Sequence, residues 1–558
     1  MSQATLRHEI LDLYLAGKSA ENQRRDALLR LKEYLTIERA RTADELHRDP
    51  VCAPKAIRSY CEITDTVVQT VLDLVQTLIH PLSNPTTAQR ICAVAVGGYG
   101  RAEMAPFSDV DLLFLTPYNQ TAWGESVIES TLYLLWDLKL KVGHSVRTID
   151  DCLRLAKQDF TIRTSLLEHR FLWGHRPLAQ ALDERLWREL FQSTGPEFVE
   201  AKLLERAERH ERHGGSRYMV EPNVKEGKGG LRDLQTLFWI AKYLHNTKQN
   251  AELVGLGVFS KEEYAVFVKA EAFLWTVRCQ LHLLAGRATE QLSFDTQTEI
   301  ALALGFKDSN GQRAVERFMQ TYFIHARQVG ELTRIFLVAL EEQHVKKRPK
   351  LRQSILNMFG FGRDSTAAGF RLHNGRLDVA DPIEFAKDPV NFLRLFEEGV
   401  RSDLQIHPDV MRLVTNNLNR IDAKVQNDPE ANRIFLEMLL SRNNPDRTLR
   451  NMNELGVLGA FIPEFGRIVA MMQFNMYHHY TVDEHIIQCI SQLSKIERGA
   501  LKEDLPVVSG ILAKGVNRRI LYVAVLLHDI GKGRPEDHSV IGAEIAAAIC
   551  PRLGVGAA

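Results

Sequence analysis

The sequence predicts an α+β protein: a small mixed sheet set among helical regions, followed by an all-helical C-terminal part. Three observations carry this. Apolar residues recur at helical spacing over most of the chain. Two short β-branched runs, Ile91–Val96 and Val110–Leu115, flank a glycine-rich turn. From residue 384 onward the helical pattern returns and no strand signal follows.

Length and composition bound the reading. A chain of 558 residues has room for about three or four domains. Hydrophobic residues at 45% and charged residues at 25% are ordinary globular values, which excludes disorder over most of the length. Lys plus Arg and Asp plus Glu number 70 each, so no global field draws the protein to nucleic acid or an anionic membrane. Phosphate chemistry must come from a local site. The seven cysteines form no C-x-x-C pair, which excludes a zinc-finger or disulfide framework and fits a reducing compartment. The N-terminus lacks a signal peptide's apolar stretch. Apolar runs such as Leu521–Leu527 fall far short of the ~20 residues that span a bilayer. A soluble, cytoplasmic protein is expected.

The elements follow in order. Residues 1–90 read as a helical region: Leu6, Ile10 and Leu13, then Leu28, Leu31 and Leu35, lie at helical spacing, and Val67–Ile79 runs to a break at Pro81. Residues 91–150 read as the mixed core: the two strands, a helix over Ser126–Leu138 and a third strand over Leu140–Thr148. Residues 151–341 read as helical, interrupted by the turn-rich Glu221–Gly230. Residues 342–383 read as a linker with a basic run (Lys346, Lys347, Arg348, Lys350, Arg352) and scattered glycines, and 384–558 as a helical domain.

Two constellations carry chemistry. The first runs from Ala93 to Leu115. Glycines Gly97 and Gly98 follow a strand, where a missing Cβ lets backbone N–H groups approach a phosphate. Asp109 and Asp111 then share one face of the next strand, with Val110 on the other. Two carboxylates so close repel unless a cation lies between them, and Mg²⁺ takes carboxylate and phosphate oxygens together. The combination, with Ser108 beside it and Arg101 as a further phosphate candidate, describes phosphoryl or nucleotidyl transfer. The alternatives are a hairpin whose aspartates face water and an Arg101 that only ties the turn to its surroundings. A Rossmann fingerprint fails because Glu103 stands at its last glycine, and a Walker A loop fails for want of G-K-[ST].

This segment resembles the nucleotidyltransferase superfamily, with its glycine pair, spacer and D-x-D. GGYGR-x-E-x-x-P-x-SD-x-D resembles more narrowly the bifunctional PII uridylyltransferase/uridylyl-removing family, as do Glu221–Asp233 (EPNVKEGKGGLRD) and the adjoining Arg217-Tyr218. The resemblance implies a small polymerase-β-like sheet domain embedded in helices. It also implies transfer of UMP from UTP to a tyrosine of the PII nitrogen-signalling protein. The superfamily's third carboxylate has no counterpart in the third strand, and Asp150 and Asp151 lie just past it.

The second constellation is Tyr480-Thr-Val-Asp-Glu-His485, then His528-Asp529-Ile-Gly-Lys532 after an apolar helix, then His538. Imidazole with carboxylate suits Mn²⁺, Fe²⁺ or Mg²⁺, and such an ion makes hydroxide from water for phosphate-ester hydrolysis. The pattern resembles the HD phosphohydrolase superfamily, which implies His485, His528, Asp529 and His538 as a metal cluster that removes UMP from PII; His478 and His479 are read as bystanders. After His538 the sequence holds no Asp and one Glu, Glu544, so the superfamily's last Asp is missing. The family's two glutamine-sensing ACT domains are missing as well, so a C-terminally truncated member with impaired removal is expected. Two other readings stay open. One is a regulatory nucleotide-binding protein without transfer. The other is a tRNA-type nucleotidyltransferase with an HD domain, using the basic run.

Overall fold

The computed structural model describes residues 3–16, 19–84, 86–118, 121–214, 216–247, 249–309, 311–345, 369–373, 376–472, 480–513, 515–534 and 536–556. The chain forms two compact units. The first comprises Met1–Gly215 and Asn223–Thr296, the second Ser216–Pro222 and Gln297–Ala558.

The first unit is built on a four-stranded sheet of β1 (Cys92–Ala95), β2 (Val110–Leu115), β3 (Val142–Arg147) and β4 (Arg170–Gly174). Their spatial order is β3-β2-β1-β4. β1 runs antiparallel to both β2 and β4, while β2 and β3 are parallel. The parallel pair needs a crossover, which the helix Ala122–Asp137 supplies. Thr121 caps that helix by accepting from the Gly124 N–H. Every residue of β1 is buried, and in β2 only Asp111 is not. The apolar runs thus pack in the middle of the sheet, and the carboxylate marks where it opens.

The N-terminal helices frame this sheet. In the helix Ala53–Leu74, Ile57, Tyr60, Cys61, Thr64, Val67, Val68 and Val71 form a buried stripe at helical spacing. Its Gln69 side chain donates to the Leu172 carbonyl of β4 at 2.8 Å, and its Ile57 carbonyl accepts from the Met104 N–H. Apolar burial, a side-chain bond to β4 and a backbone bond to the loop before β2 therefore hold the helix in place.

Two strand segments correct the sequence reading. β4 lies in the region expected to be helical throughout. Its five residues carry no alternating pattern, and it exists because β1 offers a free antiparallel edge. Gly174 ends it at φ +89°, where a Cβ would meet the Ile91 carbonyl at 2.3 Å. The second correction is a hairpin, β5 (Phe370–His373) and β6 (Arg376–Val379), inside the expected linker. Leu377 and Val379 are buried there and join the apolar core of the second unit. The basic run at 346–352 lies outside the described residues, as do His478 and His479.

The remainder of the second unit is helical around one core, to which the helices Val482–Glu497, Arg518–Leu527 and His538–Arg552 contribute Ile486, Ile490, Leu526 and Ile549. Among the described residues no helix is long and apolar enough to cross a membrane.

Candidate functional site

The turn after β1 is set by glycine sterics. Gly97 adopts φ +59°, and its missing side chain leaves room beside Asp111, whose Oδ2 a Cβ would meet at 3.3 Å. Gly100 admits no side chain at all, because a Cβ would meet the Glu168 carbonyl at 2.2 Å. The Val96 N–H donates to the Asp111 carbonyl, so the start of the turn and the carboxylate strand are fastened to each other.

Asp111 is the second residue of β2, and Asp109 stands exposed just before the strand begins. Burial raises the Asp111 carboxyl above its ordinary value, the Asp109 charge raises it further, and Lys225 opposes both. The pair is thus a site of unbalanced negative charge with hard oxygen donors. β3 supplies no third acid. Gly143 is in register with Asp111, and the aspartates beyond the strand are used elsewhere: Asp151 in the capping box of Thr148, Asp150 in an ion pair with Arg185.

These residues open onto a cavity of about 540 Å³ lined by Gly97, Gly98, Ser108, Asp109 and Asp111 on one side. Lys225, Arg232 and Arg278 also line it, a basic group that sequence reasoning missed. Burial, with Arg278 and Arg232 nearby, pulls the Lys225 ammonium below its ordinary value. Arg209, another lining residue, keeps its Nη1 buried with no hydrogen-bond partner. Arg232 and Arg278 are paired with Glu226 and Glu290, so the cavity sets a carboxylate pair opposite crowded cations of which Arg209 keeps an unpartnered nitrogen, a setting that suits a polyanion arriving with a divalent ion.

The segment Glu221–Asp233 acquires its reason here. Gly227 and Gly230 are required by close backbone approach, since side chains there would meet the Asn223 and Val224 carbonyls at 2.5 and 2.6 Å. Asp233, fully buried, accepts from Arg206, Arg209, His210 and the Gly229 N–H. Burial alone would raise its carboxyl, but hydrogen bonding from His210 and the flanking arginine charges hold it well below the carboxylate range. This anchor ties the loop to the helix Gly195–Arg212 and so aims Lys225 and Arg232 at the cavity.

Arg101 lines the cavity, yet its guanidinium is committed. It donates to both oxygens of Glu168 at 2.7 Å and to Glu103 at 2.9 Å. Trp239 Nε1 donates to the same Glu168. Ser108 likewise has a local partner, its Oγ accepting from the Ala105 N–H at 3.0 Å.

The second constellation lies in the helical unit. Asp483 and Glu484 seat the start of the Val482–Glu497 helix on the helix Pro445–Glu454. Asp483 accepts from Asn453 at 2.7 Å and Glu484 from Arg450 at 2.9 Å. The next residue, His485, reaches within 3.9 Å of Asp529 Oδ2, and His528 Nε2 lies 3.4 Å from the same oxygen. Lys532 also holds that oxygen, at 2.8 Å. Burial would raise the Asp529 carboxyl, but His528 and Lys532 hold it well below the ordinary range. Gly531 is required because a Cβ would meet the His538 carbonyl at 2.3 Å. Of the expected cluster, His485, His528 and Asp529 converge; the exposed His538 side chain is not in the close group, and Cys489 takes part instead. Two imidazoles with a carboxylate and a thiol are donors suited to a divalent transition ion.

Three family models match segments of the chain. Residues 197–337 match the family model of the GlnD PII-uridylyltransferase, 370–461 that of the uridylyltransferase GlnD third domain, and 482–556 that of the HD domain. The chain is 59% identical over 528 residues to the bifunctional uridylyltransferase/uridylyl-removing enzyme of Ruegeria pomeroyi, a match covering 95% of this chain and 58% of that enzyme. It is 60% identical over 501 residues to the enzyme of the same name from Cereibacter sphaeroides, covering 90% and 53%. The three matched segments follow one another along the chain, and the chain spans somewhat over half the length of these relatives. Nucleotidyltransferase and HD domains generally use divalent metals.

Proposed function

We propose that the chain transfers UMP from UTP to a tyrosine hydroxyl of the PII signal protein and that its HD segment hydrolyses UMP off again, a cytoplasmic switch in nitrogen regulation. The observation that carries the transfer is the carboxylate pair Asp109 and Asp111 facing a cavity that also holds the basic side chains of Lys225, Arg232 and Arg278. Asp109 and Asp111 would hold Mg²⁺, which supplies neutralisation of the triphosphate and polarisation of the attacked phosphorus. Gly97 and Gly98 leave backbone approach for the phosphates, and the basic residues stabilise the charge that builds on the pyrophosphate. The tyrosine oxygen forms its bond to the α-phosphorus in line. The bond to the bridging oxygen of the β-phosphate breaks, pyrophosphate leaves, and the phenolic proton passes to solvent. The chain's contribution is positioning and charge.

For removal, His485, His528 and Asp529 would hold Mn²⁺, Fe²⁺ or Mg²⁺, which would supply activation of water near neutral pH, and hydrolysis would cleave the bond between phosphorus and the tyrosine oxygen. The products are UMP and the free tyrosine. The test of the whole reading is incubation with Mg²⁺, each labelled nucleoside triphosphate, and either PII or tRNA. UMP on PII is the expected result. Label on tRNA would replace this reading with the RNA-directed one, and nucleotide binding without transfer would leave a regulatory binding protein.

A further inference from the structure

His485 and Cys489 are four residues apart on the Val482–Glu497 helix and therefore share one face of it. Cys489 Sγ lies 3.6 Å from His485 Nε2. Ligand atoms of His485, Cys489 and His528 all lie within 4.8 Å of one another. Asp529 Oδ2 flanks both imidazoles, at 3.4 Å from His528 Nε2 and 3.9 Å from His485 Nε2. With metal–nitrogen bonds of about 2.0–2.1 Å and a metal–sulfur bond of about 2.3 Å, a tetrahedral ion sets its nitrogen and sulfur ligands about 3.5 Å apart. The observed sulfur–nitrogen separation matches that edge. His528 Nδ1 lies 2.7 Å from the Val525 carbonyl and donates to it, which leaves Nε2 as the ring nitrogen that would hold an ion.

We propose that Cys489 is a thiolate ligand at this cluster, completing a His–Cys–His set with Asp529 beside it, and that the site takes zinc in preference to magnesium or manganese. The proposal rests on the reading of His485, His528 and Asp529 as a metal cluster. Thiolate is a soft donor that magnesium does not use, whereas zinc accepts sulfur and imidazole together. On binding, the thiol releases its proton to solvent. Lys532, which holds Asp529 Oδ2 at 2.8 Å, competes with the ion for that oxygen. A simple S–H···N bond from Cys489 to His485 would explain the 3.6 Å contact alone, but not the convergence of His528 on the same point.

The test uses the full chain and cobalt(II) as a spectroscopic stand-in for zinc. One equivalent of Co²⁺ should bind with the visible bands of a tetrahedral ion and a strong thiolate-to-cobalt absorption in the near ultraviolet, both abolished by added Zn²⁺. Cys489→Ser should lose the sulfur absorption and weaken zinc binding at least about tenfold, since even an outer partner of a metal ligand is worth about 10–100-fold. Cys489→Ala, which leaves no hydroxyl behind, should do the same, with far-ultraviolet dichroism unchanged in both. Co²⁺ bound without a sulfur band overturns the role of Cys489 and leaves the metal cluster standing. A sulfur band that survives both substitutions overturns it too, by placing the thiolate at another cysteine. A wild-type chain that binds no Co²⁺ overturns the proposal and the cluster reading together.

Discussion

Gly143 of β3 stands in register with Asp111 of β2, and a side-chain carbon there would lie 2.7 Å from Asp111 Oδ1. The strand that lacks an acid is therefore the wall against which the acid is set. Gly143→Ala should turn the Asp111 carboxylate away while leaving the sheet paired. Because a misplacement of about 1 Å costs about 10²-fold, transfer of labelled UMP to PII should fall by that order, with the urea midpoint barely moved. Unchanged transfer would show that the Asp111 orientation is not set by this contact.

Asp109→Asn with Asp111→Asn should abolish transfer, by more than about 10²–10³-fold, the loss typical of removing a preorganised charge. The double variant should be no less stable than the parent, because the charge of Asp109 already raises the Asp111 carboxyl. Transfer at the parental rate refutes the site assignment, and a collapsed urea transition refutes the electrostatic reading.

Asp233 accounts for the position of the glycine loop. Asp233→Ala leaves Arg206, Arg209 and His210 around an empty buried point. The expected cost is about 3–5 kcal/mol, as for breaking any buried charge cluster, measured by denaturant unfolding. Proteolysis should then cut first within 221–230, which the anchor no longer holds. A loss under about 1 kcal/mol would mean that the loop is held by its backbone bonds alone.

Glu290 sets an acid limb. Burial alone would raise its carboxyl, but the His282 imidazole 3.6 Å away and hydrogen bonds from Arg278, with the charges of Arg278 and Lys225, pull it down to about 2 from the ordinary 4.5. A depressed folded value means that the unfolded chain binds the proton first. The contribution is fully present above pH 4.5 and is lost as pH falls toward about 2. Glu290→Gln should lose about 1–3 kcal/mol at neutral pH and show a flatter decline through that acid window. Parallel acid limbs for variant and parent would remove Glu290 from the account.

Much of the fold was legible because its signals are local. Helical spacing in Leu6 and Ile10 and in Leu31 and Leu35, the glycines at 97 and 98, and the alternation that separates Asp109 and Asp111 from Val110 all act within a few residues. Physics at that range needs no partner. The same holds for His528-Asp529 ahead of Gly531.

What stayed hidden depends on residues far apart in the chain. β4 has no periodic pattern and is a strand only because β1, nearly eighty residues earlier, offers it an edge. Arg101 read as a phosphate candidate until Glu168 met it, a partner sixty-seven residues away. Lys225 opposes the carboxylate pair from a loop that spacing alone describes as a turn, and Cys489 becomes a candidate ligand only when His528 folds beside it. Residue types and short-range steric rules determined which chemistry the chain carries. Tertiary folding decided which charges face one another, because Coulombic and coordination energies depend on distances that the covalent chain leaves open.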